Sequence, residues 1–276
     1  DEAESIFSVV LDQLRASEDP ALRRSPTGDL LVKALSHRAS MLWIANRRDE
    51  AADISREIVE VGRADGTRTG RAAALTGAFW LAGYLRSEGR AEEAAELMPG
   101  MLSGATEIMG TDSPNYANAL MMAANIYSDT GRCNEALSLT DEAVGIIIDS
   151  FGTSEYQFER MSNVAASIAD RCGDADSYRR HRTRGLLARL HVAGPNERES
   201  VANLAEDAAA DLGSMEAWTS AVLGAYERVS PDDPKRGEFL ANAAHALETA
   251  GLTGDAERLY REAWESIGAA GEPARV

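Results

Sequence analysis

Thr130-Gly131-Arg132-Cys133-Asn134-Glu135-Ala136 ends one apolar helical segment and opens the next. Gly131 tolerates the left-handed conformation that closes a helix, and Glu135 complements the positive N-terminus of the helix that follows. The same punctuation recurs outward in both directions. Upstream stand Ala45-Asn46-Arg47-Arg48-Asp49-Glu50-Ala51 and Glu88-Gly89-Arg90-Ala91-Glu92-Glu93-Ala94. Downstream stand Cys172-Gly173-Asp174-Ala175-Asp176, Leu212-Gly213-Ser214-Met215-Glu216 and Ala250-Gly251-Leu252-Thr253-Gly254-Asp255-Ala256. The anchors at 46, 89, 131, 173, 213 and 251 lie 43, 42, 42, 40 and 38 residues apart. Six breaks at a near-constant period mark a helical repeat.

The residues before each anchor agree. Seven upstream stand Ala39, Ala82, Ala124, Ala166, Glu206 and Ala244, and four upstream stand Leu42, Leu85, Tyr127, Ala169, Ala209 and Leu247. Offsets of four and seven fall on one helical face, so the first helix of each pair buries a stripe with a small residue at its centre. The second helices offer Ile58, Met101, Ala143, Gly185, Ala225 and Ala263 twelve residues after the anchors. Each unit therefore reads as an antiparallel hairpin of closely packed helices.

Small residues in the first helix, Gly at the turn and Ala opening the second helix (Ala51, Ala94, Ala136, Ala256) resemble the tetratricopeptide repeat family. The period near 42 is similar to that of its long-period, kinesin-light-chain-like and bacterial regulatory members. The resemblance implies an all-α fold, a right-handed superhelical α-solenoid of about six hairpins. It makes residues 1–276 a single domain, with a leading helix and loop over 1–29, six repeats over 30–270 and a frayed tail at 271–276. The leading helix is expected over Glu2 to Ala16, followed by a Pro20–Pro26 loop. Asp1 is not an initiator, so a domain cut from a longer chain is expected. Three departures are visible. Glu206 replaces the small residue of repeat five, and Tyr178 and Trp218 stand where the second helix should open with Ala. Pro99-Gly100 should kink or break the second helix of repeat two, because proline lacks a donor and clashes one turn back.

Composition supports the helical reading and removes several classes. The chain holds 48 alanines, and its formal charge of −17 comes from 28 Lys+Arg against 45 Asp+Glu. That charge disfavours broad nucleic-acid or anionic-membrane binding. The longest mostly apolar uncharged stretch, Ala72 to Leu85, has 14 residues, too short to span a bilayer. Two cysteines make no disulfide framework, and Cys133 and Cys172 read as reduced bystander thiols of a cytoplasmic protein. No phosphate loop, nucleophile elbow or metal-ligand spacing is present. The histidines, His37, His181, His191 and His245, read as scattered surface or rim residues. No catalytic residue, cofactor or metal is expected.

In the family the resemblance names, the first helices line a concave groove that holds partners. On this sequence the positions opposite the packing stripe include Trp43, Phe79, Trp80, Met121 and Met122 as apolar anchors. Asn118, Asn125, Asn163, Asn203 and Asn242 would clamp the main chain of an extended segment, since an amide both donates and accepts. Arg86 and Arg160 would meet carboxylates, and His245 lies in the C-terminal part of the same stripe. Arginines 179 to 189 could dock an acidic partner, although pairing with neighbouring acids such as Asp174 and Asp176 is the plainer reading. The expected function is a non-catalytic scaffold for a protein or peptide. The alternatives are a sensor or autoinhibitory arm of a larger bacterial regulator and, more remotely, an enzyme on a helical-repeat scaffold.

Overall fold

The computed structural model describes residues 2–17, 24–25, 28–152, 156–192, 215–226, 235–249 and 251–270. These hold twelve helices: α1 (Glu2–Ala16), α2 (Leu30–Ile44), α3 (Arg48–Asp65), α4 (Arg68–Ser87), α5 (Ala91–Met109), α6 (Pro114–Asp129), α7 (Cys133–Phe151), α8 (Tyr156–Arg171), α9 (Ala175–Val192), α10 (Met215–Tyr226), α11 (Arg236–Thr249) and α12 (Thr253–Ala270). A minimal antiparallel ladder, β1 (Arg24–Ser25) with β2 (Gly28–Asp29), sits within the expected loop region. The fold is an all-α helical repeat.

Five of the six turns predicted from the sequence lie in the described residues, and they share one backbone motif. Asn46, Gly89, Gly131, Gly173 and Gly251 all have positive φ, between 59° and 80°. Each donates its N–H to the carbonyl three residues back, and the next residue donates five back: Arg47 N to Leu42 O, Arg90 N to Leu85 O, Arg132 N to Tyr127 O, Asp174 N to Ala169 O and Leu252 N to Leu247 O, at 2.8–3.0 Å. This is the Schellman closure, which satisfies carbonyls a helix end would otherwise leave orphaned. Only Asn46 lacks glycine there, and asparagine is the side chain that best tolerates the conformation. The turn at Gly213 lies outside the described residues, as do Glu206 and Asn203.

In the first three turns a side-chain clamp follows. Arg47 reaches Glu50, Arg90 reaches Glu93 and Arg132 reaches Glu135 through two guanidinium nitrogens each. The guanidinium holds each of these carboxyls below its ordinary range. The repeat-four turn replaces the clamp with a cap: Asp174 accepts from the Ser177 N–H at 3.0 Å, and those backbone bonds lower its pKa.

By contact the chain divides into two compact units, residues 1–139 and 140–276, with the boundary inside α7. In the first, α3 and α4 cross through glycine. A Cβ at Gly62 would lie 2.5 Å from the Ala74 nitrogen and the Gly70 carbonyl, and one at Gly70 would lie 2.6 Å from the Gly62 carbonyl. Nothing larger fits, because the opposing atoms are backbone and cannot swing away. Pro99 does not break its helix: α5 runs unbroken from Ala91 to Met109, with Pro99 and Gly100 on the exposed side.

In the second unit Trp218, which stands where alanine was expected, is fully buried. It belongs to one buried cluster with Leu186, Phe239 and Leu240. Two further expectations are corrected. His181 is fully buried, not at a rim. Neither Cys133 nor Cys172 is a free thiol; both are disulfide-bonded. Among the described residues no helix is long and apolar enough to cross a membrane.

Candidate functional site

The first helices of repeats one to three are α2, α4 and α6. Each buries its alanine stripe against its own hairpin, and the opposite side chains are left at the surface. Near the C-termini of α2 and α4 this leaves three aromatic rings together. Trp43 stacks on Tyr84 with centroids 4.9 Å apart and planes 24° apart. Trp80, one turn before Tyr84, is 5.9 Å from it at 34°. Offset stacking of this kind is favoured by the ring quadrupoles and adds about 0.5–1.5 kcal/mol per pair beyond burial. The Arg48 guanidinium lies 5.0 Å from the Trp43 ring. Trp80 remains 41% exposed.

Tyr84 is the member the sequence reading missed. It is buried, and its hydroxyl has no hydrogen-bond partner among the described residues. Burial raises its phenol pKa. The available signal was its place four residues after Trp80, on the same side of the helix.

Charges around the rings are paired between successive repeats. Arg48 meets Glu88 at 2.8 Å, and Arg86 meets Asp129 at 2.5 Å. Arg86 was expected to meet a partner's carboxylate; instead it joins α4 to α6. Phe79 and Met122 are half-buried and Asn118 is exposed. Met121 is 5% exposed and belongs to the core, because its position turns inward with Leu120 and Ala124. Asn125 donates to the Met121 carbonyl of its own helix at 3.0 Å.

Asn203 lies outside the described residues; the other expected residues, Arg160, Asn163, Asn242 and His245, lie in the second unit. Asn163 is half-buried against Gly185, where a Cβ would meet its Oδ1 at 2.6 Å, and that oxygen accepts from Arg182 at 3.3 Å. Asn242 is buried and donates to the Leu190 carbonyl at 2.8 Å, so it fastens α11 to α9 and is not a groove contact. Arg160 is exposed on α8. His245 is half-buried and lies 3.5 Å from the Tyr260 hydroxyl, which donates to Glu248 at 2.9 Å.

Three arginines of the α9 run form ion pairs within the chain. Arg179 pairs with Asp176, Arg180 with Asp141 at 2.9 Å, and Arg189 with Glu159 at 3.8 Å. Between Arg180 and Arg184 lies His181, whose Nε2 is 3.3 Å from Asp141 Oδ1. Neither ring nitrogen completes a hydrogen bond among the described residues. Its pKa falls to about 4, chiefly through burial, with Arg180 and Arg184 adding to the fall and Asp141 opposing it. Among the described residues no group of three or more His, Cys, Asp or Glu converges as a metal site.

Residues 70–147 match the tetratricopeptide repeat family model. This segment carries tetratricopeptide repeats. The matched segment spans α4 to α7, which holds Trp80, Tyr84 and the Arg86–Asp129 pair. No curated protein sequence matches the chain. Solved structures share the tetratricopeptide-repeat fold at low identity. BtubC (BKLC) from P. vanneervenii matches at TM-score 0.54 and 17% identity, over 99% of this chain and 94% of that one. The apo form of RapI matches at 0.58 and 14%, over 97% and 92%. A Rap protein complexed with Competence and Sporulation Factor matches at 0.50 and 14%, over 96% and 68%.

Proposed function

We propose that this tetratricopeptide repeat chain is a non-catalytic interaction scaffold. Its N-terminal unit holds an extended protein segment across the face made by α2, α4 and α6. The observation that carries the reading is the ring cluster Trp43–Tyr84–Trp80. It is built on two successive repeats, is rigid by stacking, and leaves one indole 41% exposed. A large aromatic surface held in place loses little entropy when a partner side chain packs on it, which is how binding anchors work. Half-buried Phe79 and Met122 extend the apolar wall, and Asn118 offers an amide to a partner's main chain. The neighbouring charges are compensated by Glu88 and Asp129, so the anchor position favours an apolar side chain over a charged one. That a Rap protein of similar fold has been solved with Competence and Sporulation Factor is an analogy of fold.

The test is a selection of displayed random peptides on the full chain, repeated on Trp80→Ala. The proposal expects apolar-anchored sequences that bind the parent protein and lose at least about tenfold in affinity on the variant. Failure to enrich any sequence, or equal binding by both proteins, would overturn it.

A further inference from the structure

The last described helix exposes a face that earlier repeats bury. On α12, Tyr260, Trp264 and Ile267 are 37%, 81% and 53% exposed, at a spacing of four and three that places them on one side. They stand 9, 13 and 16 residues after the Gly251 anchor. The residues at those offsets in repeat one are Ser55, Val59 and Gly62, all buried. In repeat two Met98 and Ala105 are buried and Leu102 is half-buried; in repeat three Thr140, Val144 and Ile147 are all buried.

Repeat one shows what covers them. The glycines of α4 lie directly on this face of α3: a Cβ at Gly77 would meet the Ser55 carbonyl at 3.0 Å, and Gly62 touches Ala74. The side of α12 that carries Trp264 is therefore, by register, the seat of a following helix. In repeat one that helix is joined by a short turn at Gly66, so it runs antiparallel to its seat.

We infer that the Tyr260–Trp264–Ile267 face of α12 is a self-association surface, on which α12 of a second copy of this chain lies antiparallel. The charges flanking the face select this occupant. Arg261 and Glu265 lie on the same flank of the apolar stripe, both are exposed, and neither has a partner within the described chain. In an antiparallel pairing across a two-fold axis near Ala263, Arg261 of each copy faces Glu265 of the other, so the symmetry makes the contact twice. Two neighbouring polar groups are engaged within the chain: Arg258 is tied to Asp255 of its own helix, and the Tyr260 hydroxyl is directed to Glu248. The paired indoles would bury the most exposed large apolar side chain on this helix.

Sedimentation equilibrium of the full chain, from low-micromolar to near-millimolar concentration, tests this. The proposal expects a closed monomer–dimer equilibrium. Trp264→Glu should weaken it by about tenfold or more with the thermal transition unchanged, because the side chain is already in solvent. Arg261→Glu alone should weaken it, and Arg261→Glu with Glu265→Arg should restore it, which separates pairing from general surface effects. A monomer at every concentration, an open-ended series of larger assemblies, a dimer indifferent to Trp264→Glu, or no rescue by the charge swap would each overturn the inference.

Discussion

The rings of Trp43 and Tyr84 come from successive repeats and stack 4.9 Å apart, one half-buried and the other in the core. The contact links two first helices where each hairpin turns, and it gives exposed Trp80 a rigid support. Because the Tyr84 hydroxyl is buried without a partner, the ring and the hydroxyl contribute with opposite sign. Tyr84→Phe should leave stability unchanged or raise it by up to about 1 kcal/mol, whereas Tyr84→Ala should cost about 3–4 kcal/mol. Urea denaturation of both variants measures this, and a loss in the Phe variant would show that the hydroxyl is satisfied.

Two effects oppose each other at Gly62. Alanine favours a helix interior over glycine by about 1 kcal/mol. Here its Cβ would fall 2.5 Å from backbone atoms of α4, and overpacking against backbone costs about 1–3 kcal/mol. The steric cost should win, so Gly62→Ala is predicted to lower the denaturation midpoint. Gly145, whose Cβ would meet nothing within 4 Å, supplies the control: Gly145→Ala should be neutral or stabilising.

Acid should act on the second unit through His181. Its folded pKa of about 4 is below the ordinary value of 6.5, so the unfolded chain binds the proton more readily. The native preference for neutral imidazole is complete above pH 6.5 and is lost progressively as pH falls toward 4, by roughly 1–3 kcal/mol. The window between pH 6.5 and 5 isolates it, because Glu50, Glu93, Glu135 and Asp174 have pKa values below their ordinary carboxylate range. Thermal unfolding across that window should show a slope that His181→Gln removes.

The Arg86–Asp129 pair is expected to orient more than it stabilises. Both side chains are partly in solvent, and such pairs contribute about 0.2–1 kcal/mol. A double-mutant cycle with Arg86→Ala and Asp129→Ala should return a coupling in that range that shrinks as salt is added.

The fold was legible because its decisive residues act locally. A left-handed glycine or asparagine announces itself wherever it stands, and all five described turns close by the same pair of hydrogen bonds. A second series of turns, at Gly66, Gly110 and Gly152, also takes positive φ, but there Gly110 and Gly152 donate to the carbonyl four residues back. The site was only half legible. Opposite-face offsets located Trp43 and Trp80, but a helix offset cannot tell which flanking residue a neighbouring repeat will cover. For that reason Tyr84 was missed, and Met121 and Asn242 were assigned to the groove although packing buries both. His181 was misplaced for the same reason: it is buried, and the carboxylate beside it, Asp141, lies far away in sequence. Pro99 misled in the other direction, because its ring sits on the solvent side of α5, where the helix continues past it.

Amide hydrogen exchange on the full chain, with and without a peptide selected on the parent protein, tests the scaffold reading most directly. The account predicts slowed exchange in the first helices of the N-terminal unit, over α2, α4 and the C-terminal half of α6, and loss of that protection in Trp80→Ala. Protection confined to α3 and α5, or protection that survives Trp80→Ala unchanged, would contradict it.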